Sequence, residues 1–143
     1  MSSIHVQGHI DGIEVELNHP WCDRYENPFV LFIHGMWGSG KIFSHWRNEC
    51  ANAGFAACSI TLPVSDKTCF DDYVANVEAV IKRLENRTKS IILVGHSMGG
   101  LIAQKVAARN PKKVKALVLV ASAPPSGTFH AARMWFRLRY LKA

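Results

Sequence analysis

The six residues Gly95-His96-Ser97-Met98-Gly99-Gly100 join the apolar run Ile91-Ile92-Leu93-Val94 to the helix-like stretch Leu101–Arg109, and no other segment of this 143-residue chain restricts its fold as much. A strand that turns straight into a helix brings two backbones closer together than side chains allow. Gly95 and Gly99 fit that geometry because a Cβ at either position would collide with neighbouring backbone. Ser97, at the apex, is forced into strained backbone geometry that lifts its hydroxyl above the end of the sheet. Met98 opens the helix, so its N–H points toward any negative charge that develops there. The Gly-x-Ser-x-Gly pattern alone arises by chance in about one chain in twenty of this length at average glycine content. Its strand-before, helix-after setting is what makes it informative.

The rest of the chain alternates between two periodicities. Ile4–His9 and Ile13–Leu17 flank Asp11-Gly12 and read as a hairpin. Pro28–Ile33 is continuously apolar, as expected of a strand covered on both faces. Residues Ile42–Ala53 read as a helix closed by Gly54, and Phe55–Leu62 as a strand stopped by Pro63. Across Asp71–Leu84, helical spacing puts Tyr73, Val74, Val77, Val80, Ile81 and Leu84 on one face. A helix over Met98–Asn110, ended by Pro111, and a strand over Val114–Val120 complete the series. This order predicts an α/β protein, a mostly parallel sheet with helices on both faces.

Composition narrows the function classes. With 48% hydrophobic residues the chain can bury a core as one domain without staples. No apolar run is long enough to span a bilayer, and the start, Met-Ser-Ser-Ile-His-Val, lacks the basic and apolar regions of a secretory signal. Cys22, Cys50, Cys58 and Cys69 show no zinc-like spacing, so reduced thiols in a cytoplasmic protein are expected. The net charge of +6 is concentrated after Arg109, where there is no Asp or Glu. Lys112, Lys113 and Lys115 follow a helix end, where cations complement the dipole. No aromatic platform or recognition motif accompanies them, so no nucleic-acid partner is expected. No metal, nucleotide or flavin motif is present, and no cofactor is expected.

A second motif, His34-Gly35-Met36-Trp37-Gly38, follows the strand ending at Ile33. With the turn at Ser97 it resembles the α/β-hydrolase superfamily, in particular its serine esterase, lipase and lysophospholipase members. The resemblance implies that Ser97 is the nucleophile. Met98 N–H and Met36 N–H (Trp37 being the alternative) would form the oxyanion hole. It also implies supporting roles for Gly35, Gly95, His96, Gly99 and Gly100, and a structural role for His34 rather than that of catalytic base. The substrate would be a small-molecule ester or acyl compound. Acyltransferases, C–C hydrolases and cofactor-free haloperoxidases share the same serine turn, so the resemblance does not choose among them.

The resemblance runs from about residue 4 to residue 143 but covers only the N-terminal portion of the family fold, an incomplete sheet lacking the last strands. The family order is Ser, then Asp or Glu, then His. After Ser97 this sequence has no acidic residue, and its only histidine is His130. An improvised triad would have to combine His130 with Asp66, Asp71 or Asp72. The expected layout is a core portion over residues 1–125 and the start of a cap over 126–143. In the latter, Met134, Trp135, Leu138 and Leu141 share a helical face among arginines; a contact with an anionic membrane is the alternative. The segment Val64–Cys69 is shorter than in relatives and lacks glycine, which leaves the shape of the substrate entrance open. Three readings follow: a serine hydrolase of carboxylic esters, a truncated or non-catalytic remnant, and a half-domain completed by another chain. The last two rest on Ala116–Val120 as an unpaired sheet edge prone to self-association.

Overall fold

The computed structural model describes residues 6–63, 65 and 67–122. It opens with a hairpin of strands β1 (Val6–Ile10) and β2 (Ile13–Leu17). Its two turn residues, Asp11 and Gly12, have φ of 50° and 79°, the paired positive values that a type I′ turn needs. Strand β3 (Phe29–Ile33) follows, then a 3-10 turn (Gly40–Phe43), helix α1 (Ser44–Asn52) and strand β4 (Ala57–Thr61). Helix α2 (Phe70–Leu84), strand β5 (Ile91–His96), helix α3 (Met98–Arg109) and strand β6 (Val114–Val120) complete the fold. The helix expected from Ile42 is entered through the 3-10 turn, because the Gly40 N–H is held by Thr61 Oγ1 at 2.9 Å and the chain must turn tightly there. It ends as expected: Gly54 has φ of 84° and its N–H reaches the Ala51 carbonyl.

The strands form one sheet in the order β1-β2-β4-β3-β5-β6, antiparallel across β1-β2-β4 and parallel from β4 to β6. The continuous apolar run of β3 divides by alternation. Phe29, Leu31 and Ile33 pack with the α2 residues Val74, Val77 and Val80 and the α3 residues Ile102 and Val106. Val30 and Phe32 pack on the opposite face with Phe43, Ala57 and Val94. Helices therefore cover both faces, and each fully buried aliphatic side chain contributes roughly 1.5–3 kcal/mol. Among the described residues the sheet edges are β1 and β6, and β6 is half-buried along much of its length, with Val118 43% exposed.

The chain crosses from β3 to β4 on one side and returns past β3 to β5 on the other. The C-terminal ends of β3 and β5 thus flank the point where strand order reverses, where open α/β sheets form crevices. Register pairs Phe32 with Val94 and Ile33 with Gly95, so the loop after β3 and the turn after β5 leave the sheet at the same level. No helix among the described residues is long and apolar enough to cross a membrane. The proposed boundary near residue 125, the apolar face around Trp135, His130 and Asp66 all lie outside the described residues.

Candidate active site

Ser97 sits between β5 and α3 with φ 54° and ψ −121°, a conformation that costs a non-glycine residue about 1–3 kcal/mol. It is held from both sides. Its N–H donates to the Val120 carbonyl at 2.9 Å, and its own carbonyl accepts from the Gly100 N–H at 2.9 Å. The glycines are there because backbone fills the space their side chains would take. A Cβ on Gly95 would lie 2.4 Å from Gly99 O, and one on Gly99 would lie 2.2 Å from Ile33 O and 2.5 Å from His34 O. A Cβ on Gly100 would meet Ser122 Oγ at 2.2 Å. Ser97 itself is exposed. Met98, the first residue of α3, has an N–H with no intrahelical acceptor, and the first turn carries no acidic residue. The positive end of α3 is therefore not neutralised from within its own first turn.

The loop after β3 abuts this turn. A Cβ on Gly35 would stand 2.9 Å from Ser97 Cβ and 3.4 Å from Ser97 Oγ. His34 is 1% exposed and uses both ring nitrogens on backbone. Its Nε2 accepts from the Leu62 N–H at 2.9 Å, which leaves the proton on Nδ1 to donate to Gly35 O at 2.6 Å. Burial pushes its pKa below the ordinary value of 6.5, against the opposing pull of the Gly35 hydrogen bond. His34 is thus a neutral loop anchor with no nitrogen left to take a proton. Between the anchors, Met36 is 61% exposed, and Trp37 is 89% exposed with a φ of 63°.

A sequence model of the alpha/beta hydrolase fold matches residues 28–139. The chain belongs to the α/β-hydrolase fold family. It is 35% identical over 107 residues to phytyl ester synthase 2 of Arabidopsis thaliana, covering 72% of this chain and 15% of that protein. It is 29% identical over 121 residues to a pimeloyl-[acyl-carrier protein] methyl ester esterase of Salmonella heidelberg, covering 83% of this chain and 46% of that one. Among solved structures, the thioesterase domain from the curacin biosynthetic pathway superposes with a TM-score of 0.66 at 26% identity, covering 96% of this chain and 53% of that domain. The chain spans less than half the length of these curated relatives.

Among the described residues no acid and base are assembled against Ser97. Among the described residues, no histidine hydrogen-bonds the Ser97 hydroxyl. Asp71 pairs with Lys105 Nζ at 2.5 Å. Asp72 accepts from the Cys69 N–H at 2.8 Å, which caps α2 and holds the Asp72 carboxyl below the usual carboxylate range. Two of the three carboxylates considered for an improvised triad, Asp71 and Asp72, are thus engaged at the start of α2, and the third, Asp66, lies outside the described residues.

One buried cluster escaped the sequence reading. Arg47 of α1, 1% exposed, sends Nε to Asn18 Oδ1 at 2.8 Å, Nη1 to Gly40 O at 2.9 Å and to Ser59 Oγ, and Nη2 to Glu16 Oε2 at 3.0 Å. Ser59 Oγ donates to the same Gly40 carbonyl at 2.8 Å. Burial pulls the Arg47 pKa down and Glu16 opposes it. The alternation in Ile13–Leu17 does put Glu14 and Glu16 on one face of β2, but local pattern assigns such a face to solvent. Only the placement of α1 buries Glu16.

Proposed function

We propose that this chain carries the nucleophile and oxyanion-binding portion of a serine hydrolase acting on carboxylic esters, of esterase or lipase type. The observation that carries the reading is the strained, exposed Ser97 turn set against Gly35 of the neighbouring loop. Ser97 Oγ attacks the ester carbonyl as its proton passes to a base. The oxyanion of the tetrahedral intermediate is held by the N–H groups of Met98 and Met36, each donor contributing about 3 kcal/mol to the barrier reduction. Collapse expels the alcohol, protonated by that base, and water then releases the acyl group by the same steps in reverse. Gly35, Gly95, Gly99 and Gly100 allow the backbones to approach, His34 fixes the loop, and His96 shapes the turn into Ser97. The relatives named as an ester synthase and a methyl ester esterase support a small-molecule ester or acyl substrate. Four free thiols, one of them buried, favour the cytoplasm as the compartment. The chemistry calls for no cofactor, and no nucleic-acid partner is proposed.

The base and acid then come from outside the described residues, or from another chain. The half-exposed edge strand β6 favours the second source, a half-domain completed by a partner that pairs with β6, and the self-association expected of such an edge. A non-catalytic remnant is the third reading.

Fluorophosphonate labelling of the purified chain, read by intact mass, separates the three. An adduct lost in Ser97→Ala establishes an activated serine. Labelling whose rate rises with protein concentration favours a partner-completed site. A folded chain that takes no label overturns the hydrolase reading and leaves the remnant.

A further inference from the structure

The loop from His34 to Gly40 has to present the Met36 N–H in a fixed place, and its internal hydrogen bond, Gly38 N–H to Gly35 O at 3.2 Å, closes the turn around Met36 and Trp37 without tying that turn to the rest of the protein. Met36 and Trp37 project into solvent, and Trp37 adopts a left-handed φ that persists only when its surroundings impose it. Position must therefore come from the two ends. The near end is held by His34 to Leu62 and by Gly35 against Ser97. At the far end Gly40 is clamped against β4: its N–H goes to Thr61 Oγ1, and its carbonyl receives both Ser59 Oγ and Arg47 Nη1. A Cβ on Gly40 would lie 2.9 Å from Ser59 Oγ, so the contact is as close as glycine permits.

We propose that Arg47 is a positioning residue for the reaction at Ser97: braced by Glu16 and Asn18, its guanidinium holds the Gly40 carbonyl and so fixes where the 34–40 loop places the Met36 N–H. The inference rests on the Ser97 reading above for its catalytic half; the tether itself does not. A buried ion pair adds little net stability and is often replaceable by apolar residues without loss, so stability alone does not account for this one. The planar fork matters, because one guanidinium reaches Glu16, Asn18, Ser59 and the Gly40 carbonyl at once, which a lysine ammonium on a flexible stem cannot do. A displacement of about 1 Å in a positioned donor costs roughly a hundredfold in rate.

The test uses the full chain and two readouts, amide hydrogen exchange over residues 35–43 and the rate of fluorophosphonate addition at Ser97. Arg47→Met combined with Glu16→Leu removes both charges without orphaning either. Arg47→Lys keeps the charge pair and serves if the double variant does not fold. Leu84→Ala, a cavity in the core beneath α2, is the control for general destabilisation. In the tether variants, exchange in the loop should rise by about tenfold or more. Labelling should slow by about a hundredfold while the far-ultraviolet spectrum is retained. Leu84→Ala should lower Tm and leave both readouts at wild-type values. Folded tether variants with wild-type loop exchange, or a Leu84→Ala that slows labelling equally, would overturn the proposal. A wild-type chain that takes no label would sink the Ser97 reading instead. In that case loop exchange alone decides the tether: faster exchange upholds it and unchanged exchange overturns it.

Discussion

Replacing Gly99 by alanine adds a single methyl group at the tightest point between α3 and β3. That carbon would lie 2.2 Å from the Ile33 carbonyl oxygen and 2.5 Å from that of His34. Since carbon and carbonyl oxygen ordinarily approach to about 3.3–3.6 Å, the helix start must retreat by roughly 1 Å. It has little room to do so, because Gly95 and Gly100 pack α3 against β5 and Ser122. Overpacking costs about 1–3 kcal/mol, and a site walled by backbone belongs at the upper end, about 3 kcal/mol. The intrinsic helix preference of alanine over glycine returns about 1 kcal/mol, leaving a net loss of about 2 kcal/mol. For a domain of this size that is a fall in Tm of about 8 °C. The same substitution at Gly8 in β1 meets nothing within 4 Å and should be neutral or stabilising by up to about 1 kcal/mol. Calorimetry on both variants, with fluorophosphonate labelling alongside, checks the pair. Because the Met98 N–H moves with the helix start, Gly99→Ala should also lose most of any labelling. A Gly99→Ala protein melting within about 2 °C of wild type would refute the claim that backbone contact dictates glycine here.

Ser97→Gly should raise Tm, because the strained φ of 54° is relieved; about 1–3 kcal/mol of strain less the entropic cost of glycine leaves a gain of about 1 kcal/mol, and a lowered Tm would contradict it. For His34 the folded state disfavours the protonated ring, so stability is fully present above the unfolded value of 6.5 and is lost as pH falls through it toward the lower folded value. His34→Gln should accordingly flatten the fall of Tm between pH 7.5 and about 5, measured as a difference from wild type, and an unchanged slope would count against a neutral buried ring. Burial pushes the Cys58 thiol up to about 12, so iodoacetamide at about pH 8 should modify the exposed Cys22 and Cys69 and spare Cys58 until denaturant is added, as peptide mapping would show.

Much of the fold was legible because its signals are local. The hairpin at Asp11-Gly12, the α2 stripe through Val74, Val77, Val80, Ile81 and Leu84, the stop at Gly54 and the strand–turn–helix around Ser97 all stand where periodicity and turn chemistry put them. Tyr73, expected on the α2 stripe, is only half-buried, at the margin of that face. The start of α1 at Ser44 rather than Ile42 has no local signal, because the 3-10 turn before it answers to a partner, Thr61, that lies 21 residues beyond Gly40.

The sequence by itself determined the class of the protein and the identity of its serine turn, since steric demand at Gly95, Ser97 and Gly99 acts between residues a few positions apart. The tertiary structure alone decided three other things. Alternate residues of β3 enter different cores, because α1 lies on one face and α2 and α3 on the other. The strand order reverses at β3 and brings Gly35 against Ser97 across 62 residues of chain (97 minus 35). And α1 packs on β4, from where the Arg47 side chain reaches Glu16 of β2, turning the two from apparent surface charges into a buried brace. Each of these depends on where a distant element packs, and burial is a property of that packing rather than of any window of sequence.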